Sequence, residues 1–152
     1  MYCFDTSAFL NAWHRHYPPD TFHSFWDNLS RLIENGDVIA TEVVQFELEK
    51  TDDEVLKWAK NNSEMFVPLD EEIQIRASEI LNDYPRLTKK KADRTEADAF
   101  VIALADITGS TVVTYEQLRG GTSNPKIPYV CRQYGIPCIS LIDVIRRESW
   151  TF

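Results

Sequence analysis

The sequence has few cysteines, few glycines and no long hydrophobic run, and each shortage excludes a class of protein. Its 152 residues include three cysteines, an odd number without CxxC spacing, which argues against a disulfide framework or a zinc site. Five glycines and an ordinary apolar fraction of 43% exclude collagen-like and long disordered chains. No apolar run approaches the roughly 18–20 residues that span a bilayer, and the start of the chain lacks the basic segment of a signal peptide. We therefore expect a single cytoplasmic domain, residues 1–152, with no membrane partner.

Positive charge is also scarce. The chain has 16 Lys+Arg against 24 Asp+Glu, which gives a formal net charge of −8 at pH 7. This balance argues against avid, non-specific binding of nucleic acid, because counterion release favours a basic surface. It does not exclude a nuclease, since an enzyme that holds divalent cations between carboxylates is locally acidic whatever its net charge.

The hydrophobic pattern predicts short strands separated by helices. Four apolar or β-branched segments read as strands, at Tyr2–Phe4, Val38–Ala40, Thr111–Thr114 and Pro137–Ser140. Helical spacing lies between them, at 53–59, 71–81, 96–107 and in a helix that we expect to begin at an Asp20 N-cap and end at Asn35–Gly36. This alternation predicts an α/β fold with a mostly parallel sheet and a helical insertion between the second and third strands.

Four acidic residues stand close to the ends of these predicted strands. Asp5 follows the first strand, Glu47 lies on the helix after the second, Asp98 opens the helix before the third, and Glu116 follows the third. Taken singly, each has an ordinary explanation as a helix cap, a solvated helix face or a loop acid. Together they predict one site, because the carboxyl ends of parallel strands meet at one edge of a sheet. Clustered carboxylates repel one another unless a cation such as Mg²⁺ or Mn²⁺ is bound.

Four segments in this order, FDTSAFL, VVQFEL, TEADAFVIALA and TVVTYE, resemble the PIN-domain family of metal-dependent ribonucleases over essentially the whole chain. The ending NPKIPYVCRQYGIPCISLIDVI resembles an uncharacterised bacterial branch of that family, related to the VapC-type toxins of toxin–antitoxin pairs. The resemblance implies a three-layer α/β/α sandwich with a central, mostly parallel sheet of four to five short strands. It also implies an RNA substrate, an antitoxin protein and a homodimer.

The same resemblance implies a site and a reaction. One or two Mg²⁺ or Mn²⁺ ions lower the pKa of a water molecule that attacks the scissile phosphate of RNA. By position in the motifs, the catalytic metal ligands correspond to Asp5, Glu47, Asp98 and Glu116. Glu116 departs from the pattern of many members, which carry Asp one residue away or a slightly different loop. The hydroxyl groups that bond to these carboxylates correspond to Thr6 or Ser7, and Thr114.

Several other features keep two explanations. The basic residues before the Asp98 helix either attract the RNA backbone or form a solvated loop; they are Arg86, Lys89, Lys90, Lys91 and Arg94. The same two explanations apply to Arg119 and Lys126, which follow that helix. The histidines favour surface positions over a zinc site, since no further ligand completes a tetrahedral set; they are His14, His16 and His23. The alternative to a nuclease is a non-catalytic nucleic-acid or protein-binding module on the same fold.

Overall fold

A computed structural model describes residues 1–51, 53–87, 97–116 and 125–152. Five parallel strands form one sheet, in the order β3-β2-β1-β4-β5. The strands are β1 (Tyr2–Phe4), β2 (Val38–Thr41), β3 (Phe66–Val67), β4 (Thr111–Val113) and β5 (Cys138–Ile139). The predicted α/β fold with a parallel sheet is confirmed.

Helices connect these strands and cover both faces of the sheet. They are α1 (Thr6–Asn11), α2 (His23–Glu34), α3 (Glu42–Thr51), α4 (Asp53–Lys60), α5 (Glu71–Asp83), α6 (Ala97–Thr108), α7 (Ile127–Tyr134) and α8 (Leu141–Arg147). A π-helical turn, Ala12–His16, continues α1, and short 3₁₀ turns lie at Ser63–Met65 and Pro85–Leu87. No helix in the described part of the chain is both long and apolar enough to cross a membrane.

The central strand β1 shows how the layers are held together. Its neighbouring residues Cys3 and Phe4 point to opposite faces of the sheet, as the period of a strand requires, and both are buried. The Cys3 thiol contacts the carbonyl of Val101 in α6, whereas the Phe4 ring packs 5.0 Å from that of Phe9 in α1. Burial on both faces is typical of a parallel sheet between two helical layers.

The structure differs from the predicted local structure at two places. The connection from Ala40 to Thr111 is mostly helical, as predicted, but it also contains the edge strand β3, which pairs with β2. Asp20 is not the N-cap of α2, because the helix begins at His23 after a turn, and its N-cap residue, Phe22, makes no capping hydrogen bond from its side chain. Burial of the aromatic residues that begin this helix explains its start better than a polar cap does, as Phe25 and Trp26 are 0% and 4% exposed.

Candidate active site

Asp5 lies where the strand order of the sheet reverses. It ends β1, and its amide donates to the carbonyl of Val113 in β4 at 2.9 Å. The chain goes from β1 to β2 on one side and places β4 on the other, so β1 and β4 flank the topological switch point. Ligands of open α/β sheets bind beyond the carboxyl ends of the strands at such a point.

The Asp5 carboxylate is buried and is held by two hydroxyl groups. Its residue is only 5% exposed, and its Oδ2 accepts hydrogen bonds from Ser7 Oγ at 2.7 Å and Thr114 Oγ1 at 3.0 Å. Burial raises the pKa of Asp5, while the Ser7 and Thr114 hydroxyls and the backbone amides of Thr6 and Ser7 act to lower it. Asp5 occupies the N-cap position of α1 but makes no capping hydrogen bond. Its side chain is therefore directed to the switch point.

The two hydroxyls also organise the loop after β4. Ser7 Oγ and Thr114 Oγ1 lie 3.2 Å apart. Ser7 Oγ accepts from the amide of Tyr115 at 3.1 Å, and Thr114 Oγ1 accepts from the amide of Glu116 at 3.1 Å. The loop that carries Glu116 is thus tied by its backbone to the groups that hold Asp5.

Glu47 reaches the same region from α3. This helix follows β2 directly, and the amide of Val44 lies 3.4 Å from Thr41 Oγ1 at its start. Val44 and Leu48 are fully buried, and Glu47 is half-buried beside them. Thr6 Oγ1 donates to Glu47 Oε1 at 2.6 Å, so the residue next to Asp5 holds the second carboxylate. A solvated helix face, the ordinary explanation for an isolated glutamate, does not describe Glu47.

One cavity of about 270 Å³ brings all four predicted acids together, and we name it the acidic cavity. Asp98 enters it from the first turn of α6, and Lys126 lines it as a basic residue. Its wall is formed by Asp5, Thr6, Ser7, Leu10, Glu47, Leu87, Ala97, Asp98, Glu116, Pro125 and Lys126. The predicted ligands therefore converge on one place in the fold. Their function as ligands stays a prediction.

The acidic cavity suits a hard divalent cation. Asp5 is a buried carboxylate whose hydrogen bonds, among the described residues, come from neutral groups, and a buried charge is costly without a counter-charge. Within the described residues no three His, Cys, Asp or Glu side chains are grouped closely enough to hold one ion between them. Mg²⁺ does not require such a cage, because it keeps several waters and usually takes one or two carboxylates. An ion held by one or two of the four acids, Asp5 among them, would complete its coordination with water.

The basic residues predicted to contact RNA lie mostly outside the described residues. These are Lys89, Lys90, Lys91, Arg94 and Arg119. Lys126, just before α7, is described and reaches the acidic cavity. The sequence made Lys126 a candidate for contact with phosphate, but it did not indicate the acidic cavity, because Lys126 follows a run of small and polar residues without periodicity.

A second cavity was not predicted from the sequence. It measures about 590 Å³ and adjoins the acidic cavity, since Glu116 lines both. We name it the aromatic cavity, after His16 and Tyr115, whose ring centroids lie 5.4 Å apart on its wall. His16 ends the π-helical turn and Tyr115 follows β4, so the two are brought together only by the fold.

Two solved structures are similar to this chain in fold. The structure of FitAcB from Neisseria gonorrhoeae is similar with a TM-score of 0.56 and 16% identity, over 91% of this chain and 96% of that one. VapBC2 from Rickettsia felis, bound to a DNA fragment from its promoter, is similar with a TM-score of 0.54 and 12% identity, over 91% and 97%. At such identities the likeness concerns the fold, and the PIN-like fold is confirmed.

No curated protein matches the chain. A family model matches residues 2–152, almost the whole chain, under the description Domain of unknown function. The chain belongs to this family, DUF4411.

Proposed function

We propose that this protein is a metal-dependent ribonuclease that hydrolyses RNA phosphodiester bonds. The observation that carries the proposal is the acidic cavity, where Asp5, Glu47, Asp98 and Glu116 converge at the switch point of the sheet. Four carboxylates at a ligand-binding edge have no need to be there for folding, because like charges in one cavity repel one another. A cation-dependent reaction on a phosphate group explains their presence.

Each described residue has a task in this proposal. Asp5, Glu47, Asp98 and Glu116 would hold one or two Mg²⁺ or Mn²⁺ ions, which would supply activation of water and compensation of charge at the phosphodiester. Asp5 is the central ligand, since two hydroxyl groups fix its position before any ion arrives. Thr6 orients Glu47 through the 2.6 Å hydrogen bond, and Thr114 positions the backbone of Glu116. No side-chain nucleophile is required. Water attacks the phosphorus in place of the ribose 2′-hydroxyl and the 3′-oxygen leaves, so the products carry a 5′-phosphate and a 3′-hydroxyl.

The substrate has to approach a chain of net negative charge. Lys126 brings one positive charge to the acidic cavity, where it can pair with a phosphate oxygen. We propose that Lys89, Lys90, Lys91, Arg94 and Arg119 add to this attraction along the RNA backbone. Weaker RNA binding with a smaller salt dependence after Lys89–Lys91 are neutralised would support this assignment, and unchanged binding would contradict it.

We further propose that the nuclease is the toxin of a toxin–antitoxin pair, acts in the cytoplasm as a homodimer and is inhibited by an antitoxin protein. The fold it shares with FitAcB and VapBC2 supports this role. Induced expression of the original chain in a bacterium is expected to stop growth, whereas induced expression of Asp5→Asn is expected to leave growth unchanged. Growth arrest by both forms would contradict the toxin role.

The decisive experiment is cleavage of mixed cellular RNA by the purified protein with Mg²⁺, Mn²⁺ or EDTA. Asp5→Asn removes one charge from the acidic cavity and is expected to abolish cleavage. Asp27→Asn is the matched control, because Asp27 is exposed on α2 and lines neither cavity. We expect it to cleave as the original chain does.

The outcomes separate the two functions. Metal-dependent cleavage that Asp5→Asn abolishes and Asp27→Asn keeps supports the nuclease. No cleavage in any condition, with no metal binding by calorimetry, would contradict it and favour the non-catalytic binding module. Sequencing the cut ends then identifies the RNA that is cut.

A further inference from the structure

We propose that the aromatic cavity binds a nucleobase of the RNA strand, next to the phosphate that lies in the acidic cavity. This inference rests on the proposed ribonuclease function and adds a subsite to it. The juxtaposition that supports it is a shared wall. Glu116 lines both cavities, and Thr114, which holds Asp5, also lines the aromatic one.

The chemistry of the aromatic cavity differs from that of its neighbour. Much of its wall is apolar, including Ala8, Ala12, Ile139 and Leu141. A phosphate group has no partner on such a surface, whereas the flat face of a base loses water favourably there. Its volume of about 590 Å³ lies within the range of about 300–1,000 Å³ typical of small-molecule sites. A polynucleotide therefore fits the two cavities with its phosphate in one and its base in the other.

Tyr115 offers the surface on which a base can stack. Its residue is 44% exposed although it follows a buried strand, and its ring lies against His16 at a tilt of 35°. Its amide is fixed by Ser7 Oγ, so the backbone beneath the ring is anchored to the Asp5 site. Single-stranded RNA is commonly bound by stacking its bases on such rings.

Polar groups on the same wall can read the edge of the base. Asn11 Nδ2 donates to the carbonyl of Ser7 at 2.8 Å, which fixes an amide that can both donate to and accept from a base. Ser140 also lines the cavity and is fixed by the capping box of α8 with Asp143. An apolar peptide could pack against the apolar wall, but it would not explain why the aromatic cavity shares a wall with the acidic cavity.

The test compares an RNA oligonucleotide that the enzyme cleaves with copies that lack one base on either side of the cleaved bond. Binding is measured by fluorescence anisotropy with Ca²⁺ replacing Mg²⁺, and kcat and KM are measured with Mg²⁺. For the original chain, one of the two abasic copies is expected to bind about 5- to 150-fold more weakly, the loss that corresponds to one stacked base. Tyr115→Leu should bind the intact oligonucleotide more weakly by the same factor, and it should bind the intact and the abasic oligonucleotides equally well.

Two variants serve as controls. Tyr115→Phe keeps the ring and is expected to bind as the original chain does. Phe46→Leu removes an aromatic ring that is 50% exposed and lines neither cavity, and it should change nothing. Because Tyr115 is exposed, all three variants should melt together with the original chain, so that a binding loss cannot be assigned to unfolding.

The results distinguish this inference from the ribonuclease itself. If Tyr115→Leu binds both oligonucleotides as the original chain does while cleavage continues, the inference is overturned and the aromatic cavity is left to a protein partner. The inference is also overturned if Tyr115→Leu still binds the abasic oligonucleotide more weakly than the intact one. If the original chain cleaves no RNA, the proposed function fails, and the subsite fails with it.

Discussion

Replacing Thr114 with Val isolates the hydrogen bond that holds the buried carboxylate of Asp5. Valine has nearly the shape of threonine, and Thr114 is only 4% exposed, so the change removes a hydroxyl and little else. Three contacts of the hydroxyl are lost: the hydrogen bond donated to Asp5 Oδ2, the one accepted from the amide of Glu116, and the 3.2 Å contact with Ser7 Oγ. The first is a hydrogen bond to an ionisable group, which contributes about 1.5–3 kcal/mol when that group is charged.

The expected loss in the free energy of unfolding is therefore about 1.5–3 kcal/mol at neutral pH, before the Glu116 amide is counted. For a chain of this length, about 2–4 °C in Tm accompanies each kcal/mol, so Tm should fall by about 3–12 °C. Urea unfolding followed by circular dichroism measures the free energy, and calorimetry measures Tm. Both are made in EDTA, so that no bound metal adds to the stability.

The pH dependence of this loss carries the stronger test. The Thr114 hydroxyl lowers the pKa of Asp5, so the cost of Thr114→Val is full when Asp5 is ionised and shrinks as Asp5 takes up a proton. Because burial raises the pKa of Asp5, the cost should begin to shrink at a pH above the ordinary range of aspartate. In an Asp5→Asn background the cost should not depend on pH, and it should be smaller than in the original chain wherever Asp5 is ionised, since only neutral hydrogen bonds remain.

Thr108→Val is a control for Thr114→Val at an exposed position, where the threonine hydroxyl bonds to neutral groups. Its Oγ1 donates to the carbonyl of Leu104 at 2.7 Å and lies 2.6 Å from Ser110 Oγ, and neither partner is a carboxylate. It is expected to cost about 0.5–1.5 kcal/mol, without a pH dependence between pH 4 and pH 8. Equal costs at Thr114 and Thr108, both independent of pH, would refute the claim that Thr114 stabilises the charge on Asp5.

Three further predictions concern Tyr2, Gly135 and Asp5. Burial and the hydrogen bond to Glu148 at 2.8 Å raise the pKa of Tyr2 to about 12. Tyr2→Phe should therefore lower the free energy of unfolding by about 1 kcal/mol below pH 10, and this difference should vanish as the pH rises towards 12. Urea titrations at several pH values measure it. Gly135 ends α7 at φ +71° with open space around it, so Gly135→Ala should cost about 1–2 kcal/mol by thermal unfolding, and Gly135→Asn less. Since burial raises the pKa of Asp5, ionisation of Asp5 lowers the free energy of unfolding as the pH rises through that pKa. Asp5→Asn should remove this decline. A Tm of Asp5→Asn below that of the original chain at pH 7 in EDTA would contradict the prediction.

The parts of the fold that were predicted correctly are those with a local signal. Tyr2–Phe4 is an apolar run that ends in a charge, and 71–81 has helical spacing, so each could be recognised within its own segment. The edge strand Phe66–Val67 has only two residues, too few to show a period, and it forms because β2 offers a free edge for pairing. Asp20 is a residue type that often caps helices, but α2 begins three residues later, at His23, because the burial of Phe25 and Trp26 determines where the helix starts.

The candidate site divides in the same way. Asp5 was predicted because it follows a strand, and parallel strands bring their ends together. Thr114 was expected only from the resemblance to the PIN-domain family. For Glu47 the sequence alone favours a solvated helix face, and only its neighbours in space, above all Thr6, distinguish it from other surface glutamates. The aromatic cavity has no sequence signal, because His16 and Tyr115 are separated by nearly a hundred residues and their contact depends on the whole sheet.

The position of β1 in the sheet has a consequence for how the protein is made. β1 precedes β2 by more than 30 residues and β4 by more than 100, yet it pairs with both. A ribosome adds roughly 5–20 residues per second, so β1 waits for several seconds with one edge unpaired before β4 is synthesised. Contacts this distant along the chain also slow folding, because a long loop must close before they form. Thr114 is synthesised directly after β4, so a nascent chain carries Asp5 with only one of the two hydroxyls that hold it, that of Ser7. An unfinished copy of the proposed nuclease would be inactive beside the RNA of the ribosome that makes it.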